Sequence, residues 1–191
     1  MKKPHNLFKV PMFAFVAILL SLQANAQGKL DYRNEKADER IPLEKEKRIG
    51  VTSDLQALVV ELIELHHQAK QCHWNIRGPL YLPLHELLDD YDETYLEYAD
   101  KVAERLLQIG SQVDGRTETV AKNANLGSIP MGAISDKQVL DLMSDHVNIV
   151  AVRTRQRVAT LSKIDEVSSN LLQDLSYKLD KQVWQLRVQQ Q

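Results

Sequence analysis

Cysteine is almost absent: Cys72 is the one thiol in 191 residues, so no disulfide can close within a chain and any such bond would join two chains. Seven glycines and six prolines are too few for the many tight turns of a sandwich or barrel. Neither charge sign dominates, with 24 Lys and Arg against 26 Asp and Glu, so no general basic field advertises nucleic acid. Long apolar runs are missing as well. The one candidate, Met12 to Leu22, is about eleven residues, short of the roughly 20 that a helix needs to cross a bilayer. What is present is 43% apolar and 26% charged residues, dominated by Leu, Ala, Glu, Lys, Gln and Arg, the profile of one all-α globular domain.

Residues 1–26 read as a secretory signal peptide: Lys2, Lys3 and Lys9 without an acid, then the apolar run, then Ala24-Asn25-Ala26 at the cleavage positions. Its short apolar run argues against a permanent membrane anchor, and no cysteine follows for lipid attachment. Removing three lysines moves the formal charge from −2 to −5, which opposes DNA phosphates. The expected destination is the periplasm of a diderm bacterium, otherwise the medium or cell surface.

Residues 27–50 are polar, mixed in charge and aperiodic, and are expected to form a flexible tail ahead of a domain over 51–191. Ser53 and Gln56 form a capping-box pattern, and Leu55, Leu58, Val59, Leu62, Leu65, Ala69 and Cys72 recur at helical spacing to about Asn75. After the Gly78-Pro79 break a second helix runs to Gly110, burying Leu84, Leu87, Leu88, Tyr91, Tyr95, Tyr98, Val102, Leu106 and Ile109. Ser111 to Ser135 reads as a long crossover with room for a short helix. Ser135 with Gln138 opens a third helix to about Leu161, and a fourth spans about Ser168 to Gln189. Four helices with one long crossover match ferritin-like bundles better than up-and-down ones.

His85 and Asp89 lie at i, i+4 on the second helix, and Asp100 and Glu104 repeat the spacing. His73 ends the first helix near the turn, so His73, His85 and Asp89 can converge on one ion. Asp89 and Asp100 are eleven residues apart, about 16 Å along a helix, so the second pair must come from another copy. Antiparallel pairing of two second helices about a two-fold axis would make two identical sites. Two imidazoles and three carboxylates suit Fe(II) and leave positions open for an oxidant, with one ion or two left undecided.

The segment His73-Trp74-Asn75-Ile76-Arg77-Gly78-Pro79, then Leu84-His85-Glu86 and Asp89, then Asp100-Lys101-Val102-Ala103-Glu104-Arg105, resembles the Dps family of mini-ferritins. Leu179-Asp180-Lys181 and Trp184 look like that family's last helix. The resemblance implies a dodecameric hollow shell built from two-fold dimers. It also implies an intersubunit ferroxidase centre at His73, His85 and Asp89 with Asp100 and Glu104 of the mate. Fe(II) and hydrogen peroxide are the implied substrates, and ferric mineral is stored inside. Trp74 is implied beside the iron site. Asp165 and Glu166 fall near the start of the last helix, where the family has acidic ion pores, although Asn170 stands at a position often acidic. The family's DNA binders use a Lys-rich tail that this chain lacks, so DNA is not an expected partner. Two other classes fit the composition: a DNA-coating or structural shell without catalysis, and a helical dimer that buffers metal.

Other side chains have plainer readings. Glu64 and His67 form a single Glu-x-x-His pair, too few for an intrasubunit di-iron centre and best taken as surface polarity. His66 shares a face with His73. His146 is an ordinary residue of the third helix, Cys72 a small buried apolar group, and the three tyrosines belong to core or interface.

Overall fold

In a computed structural model of the chain, residues 40–190 are described; the signal peptide expected over residues 1–26 and residues 27–39 of the expected tail lie outside them. The order is α1 (Lys45–Asn75), β1 (Ile76–Arg77), α2 (Tyr81–Gln108), α3 (Thr117–Asn123), β2 (Ile134–Ser135), α4 (Asp136–Leu161) and α5 (Glu166–Val188).

Side-chain pairs give the directions. His66 meets Asp92 and Lys70 meets Asp89, so α1 and α2 are antiparallel. Gln68 meets His146 and Glu61 meets Arg157, which sets α4 against α1. Tyr98 meets Asp174 and Tyr91 reaches Gln182, which sets α5 against α2. The bundle therefore runs up, down, down, up, and the crossover joins the parallel pair α2 and α4, as a ferritin-like bundle requires. Its core is continuous through Leu55, Leu58, Leu62 and Leu65 of α1, Leu84, Tyr95 and Leu106 of α2, Val147 and Val150 of α4, and Leu172, Leu175 and Leu179 of α5. The tyrosines at 91, 95 and 98 are buried, as expected.

The start of α1 corrects the sequence reading. The helix begins at Lys45, two turns before Ser53, and Ser53 is an exposed mid-helix residue with no cap to make. Tertiary anchors extend it. Arg48 donates Nη1 to the Ile109 carbonyl at 3.4 Å, Thr52 and Ser111 share a 2.6 Å hydroxyl bond, and Val51 is buried. Residues 45–50, which the sequence reading gave to the tail, therefore belong to the helix, including Gly50, a glycine that the helix tolerates at about 1 kcal/mol relative to alanine.

The second helix ends as expected, through Gly110 at φ +74°: its N–H bonds the Leu107 carbonyl (3.0 Å) and Ser111 N–H the Leu106 carbonyl (2.9 Å), a Schellman closure. The Ser135 and Gln138 capping box opens α4, which ends at Leu161 as the periodicity predicts. The last helix starts at Glu166, two residues before the expected Ser168.

The crossover carries the anticipated short helix, α3. It also contains a feature that periodicity did not predict, a two-residue parallel bridge pairing Ile76 with Ile134 and Arg77 with Ser135. This bridge fastens the end of the crossover to the α1–α2 turn, where the ligand-type residues gather. Gly78 beside it sits at φ +137°, and a Cβ there would collide with the Asp136 carboxylate, which accepts Leu80 N–H at 3.1 Å.

Candidate metal centre

Three rungs connect α1 to α2. On α1 the contributing residues are His66, Lys70 and His73, spaced i, i+4, i+7 on one face; on α2 they are Asp92, Asp89 and His85, read backwards because the helices are antiparallel.

The top rung is the pair of imidazoles. His73 donates Nδ1–H to the His85 carbonyl at 2.9 Å, and His85 donates Nδ1–H to the His73 carbonyl at 3.0 Å. A carbonyl can only accept, so each Nδ1 carries a hydrogen, and Nε2 is the atom of each ring that a metal ion would take. Among the described residues neither Nε2 is engaged by a hydrogen bond. The rings stack at 3.6 Å between centroids and 19° between planes, with the Tyr81 ring 5.1 Å from His85. An imidazole held by a backbone carbonyl at one nitrogen and open at the other has the outer-shell arrangement of a metal-ligating histidine.

The middle rung is Asp89. Its Oδ1 lies 3.3 Å from His73 Nδ1 and 2.7 Å from Lys70 Nζ. The Lys70 ammonium, hydrogen-bonded to it, is the main reason that the carboxyl is held below the usual carboxylate range. The bottom rung is a contact between His66 Nδ1–H and the Asp92 carboxylate, which is buried.

Asp100 and Glu104 are exposed on the α2 face that also carries His85 and Asp89, and they lie too far along the helix to reach them. Consistent with that separation, the described residues of a single chain contain no group of three or more His, Cys, Asp or Glu able to hold an ion. Between the two halves of the face stands Leu96, 46% exposed, an apolar knob that the described residues leave uncovered. Trp74 is likewise 63% exposed, with Lys70 Nζ 5.9 Å from its ring centre, so its apolar surface does not serve this chain's core.

Several sequence candidates separate from the site. Asp165 is no open acid: Arg105 reaches it at 2.8 Å and Ser168 also donates to it, which leaves its side chain 8% exposed and tied into the α4–α5 corner. Only Glu166 stays exposed there. Glu64 accepts from Gln68 at 2.7 Å while His67 is exposed, as surface polarity predicts. His146 is more than an ordinary helix residue: buried, it donates to Gln68, which in turn donates to the Gly127 carbonyl of the crossover. Cys72 is buried, and loss of hydration pushes its thiol up to about 12. Lys70 and the His66–Asp92 rung were missed. The i, i+4, i+7 recurrence of 66, 70 and 73 was the available signal.

A ferritin-like domain family matches residues 52–191, which takes in most of α1 and every later helix. The chain is 41% identical over 134 residues to DNA protection during starvation protein 2 of Deinococcus radiodurans, a match covering 70% of this chain and just over half, 56%, of that relative. It is 30% identical over 122 residues to the DNA protection during starvation protein of Listeria innocua, covering 62% of this chain and 77% of the relative. The crystal structure of Dps92 from Deinococcus radiodurans superposes with a TM-score of 0.73 at 38% identity, covering 75% of this chain and 87% of that one. A crossover bundle in the up, down, down, up order and these likenesses across all its helices agree: the chain belongs to the Dps family of ferritin-like proteins.

Proposed function

We propose that the protein oxidises Fe(II) with hydrogen peroxide and stores the ferric product inside a homo-oligomeric shell. The carrying observation is the reciprocal lock that holds both imidazoles by Nδ1 and leaves both Nε2 atoms without a hydrogen bond, with the Asp89 carboxylate 3.3 Å from His73 Nδ1. Asp100 and Glu104 of a second copy supply the remaining donors. If His85 and Asp89 of one copy face Glu104 and Asp100 of another, the two-fold axis crosses α2 midway between residues 94 and 95. That is also the midpoint of Tyr81–Gln108, so the register that completes the ligand set is the one that overlaps the two helices end to end. Leu96 then lies beside the axis, where its exposed surface is covered.

Two neutral imidazoles with Asp89, Asp100 and Glu104 make a hard nitrogen and oxygen set suited to Fe(II). The three carboxylates favour the ion of higher charge, and so favour oxidation. Two Fe(II) ions each give one electron to peroxide; its O–O bond breaks, two protons are taken up, and two waters leave without release of hydroxyl radical. The relatives' names speak of protecting DNA, and removing both reagents of radical formation achieves that without touching DNA. A dodecamer and export through residues 1–26 complete the proposal.

The test is anaerobic Fe(II) loading of the purified shell followed by peroxide, recording ferric absorbance and trapped hydroxyl radical. His85→Ala and Asp100→Asn are each expected to slow oxidation at least tenfold, a loss of about 1.4 kcal/mol of transition-state stabilisation, with helicity unchanged. Wild-type rates equal to a protein-free control would remove the ferroxidase reading. A rate unchanged in both variants would remove the site assignment.

A further inference from the structure

A cleft between α2 and α5 takes no part in the metal centre. It holds about 160 Å³, below the roughly 300 Å³ at which sites for drug-sized ligands begin and ample for a polyatomic ion. Asp90, Tyr91, Lys178, Lys181, Gln182 and Gln185 are among the residues that line it. Gln182 is 4% exposed, and its Oε1 is buried without a hydrogen-bond partner among the described residues. Such an acceptor gave up its hydration on folding and received nothing in return. Tyr91 does not satisfy it, because its one hydroxyl hydrogen lies between Gln185 Oε1 at 3.1 Å and the Gln182 carbonyl at 3.4 Å. The charged lining groups are unclaimed as well. Among the described residues neither Lys178 nor Lys181 has a carboxylate at ion-pair distance, Lys178 resting instead with Nζ 5.7 Å from the Tyr98 ring centre, and the Asp90 carboxylate has no cationic partner.

The unclaimed groups are two cationic donors and two acceptors, Gln182 Oε1 and the Asp90 carboxylate, and two ammonium groups against one carboxylate leave the lining with a net positive charge. Dihydrogen phosphate has the complementary pattern: two unprotonated oxygens that accept, two P–OH groups that donate, and a single negative charge. We propose that the α2–α5 cleft binds inorganic phosphate in its protonated form, with the unprotonated oxygens toward Lys178 and Lys181 and the P–OH groups toward Gln182 Oε1 and Asp90. Asp90 sets the specificity. A carboxylate repels a fully ionised oxyanion and accepts from a protonated one, so it favours phosphate over sulfate, which has no proton to give at neutral pH. The bound ion joins α2 to α5 and stabilises the folded chain by mass action. None of these groups belongs to the metal centre, so the cleft and the ferroxidase reading stand or fall separately.

The experiment is a calorimetric titration of the whole iron-free oligomer with sodium phosphate and, at matched ionic strength, sodium sulfate, both near pH 6.5. Without ferric iron, uptake of phosphate by mineral does not enter the signal. Saturable phosphate binding is expected, with sulfate weaker by about tenfold or more, because it leaves Gln182 unpaired and faces Asp90 as a dianion. Lys181→Gln alters an exposed position, so helicity is retained, and should weaken phosphate by about tenfold. Asp90→Ala should bring the two anions to within about threefold of each other, since the group that tells them apart is gone. Absence of saturable phosphate binding overturns the site. Equal affinity for both anions in the wild type overturns the protonated ligand and marks a general cationic surface. Phosphate affinity unchanged in Lys181→Gln places the binding elsewhere, and a phosphate preference unchanged in Asp90→Ala removes the role given to that carboxylate.

Discussion

Glu61 is a buried carboxylate outside the site that holds two arginines. It is 4% exposed, accepts from both nitrogens of Arg157 at 2.5 and 3.0 Å, and from Arg153 at 3.0 Å. Arg153 also reaches the Ala124 and Asn125 carbonyls at 3.1 and 3.3 Å, so the cluster clamps the end of α3 against α1 and α4. Glu61→Ala would leave two guanidinium groups facing a cavity. Removing one partner of a buried pair costs about 3–5 kcal/mol. The lower end applies here, because Arg153 is one-third exposed and can be rehydrated, while Arg157 at 11% cannot. About 3 kcal/mol corresponds to a fall of roughly 6–12 °C in Tm for a domain of this size. The assay is thermal unfolding by circular dichroism at one fixed protein concentration, since assembly shifts apparent stability. Hydrogen exchange at residues 124–127 should accelerate in the same variant. Glu61→Gln, which keeps one acceptor, should lose about half as much. A fall below 2 °C, or unchanged exchange in the crossover, would refute the clamp.

Two further outcomes follow from buried groups. Burial lowers the pKa of His146, so its neutral form is favoured by folding; the stability it contributes is complete above about pH 6.5 and is lost as pH falls from there toward its folded value. The link from His146 through Gln68 to Gly127 makes the crossover the segment that loosens in mild acid. Protection at 125–128 should drop between pH 6.5 and 5 in wild type, and a His146→Phe protein showing the same acid-dependent drop would contradict this. Cys72, buried and with its thiol raised to about 12, should resist maleimide labelling in the native shell at pH 8 and react fully in denaturant. Stoichiometric labelling of the native protein within minutes would show that the thiol is accessible.

Local chemistry was legible wherever it acts alone. The Ser135 and Gln138 box gave the start of α4, and Gly110 the end of α2, because caps need only their own neighbours. The identical pattern at Ser53 and Gln56 misled for a tertiary reason: Arg48 and Thr52 are anchored on Ile109 and Ser111, nearly sixty residues away, so the helix starts earlier than its own sequence indicates. The two-residue bridge at Ile76 and Ile134 is too short to leave a period. His73, His85 and Asp89 could be brought together on paper because one tight turn joins their helices. Lys70 could not, since a lysine on a helix usually faces water, and the pairing of Asp165 was hidden because its partner, Arg105, lies on another helix.

The imidazole pair has a consequence for portability. Each ring takes its orientation from the other residue's backbone and not from the other's side chain. Truncating one histidine therefore removes one ligand and leaves the survivor's tautomer fixed, so the pair does not collapse as a unit. No third residue is required to aim either ring. A helix end and the start of the next, antiparallel and one short turn apart, carry the whole instruction, and any helical hairpin of that geometry could receive it by two substitutions.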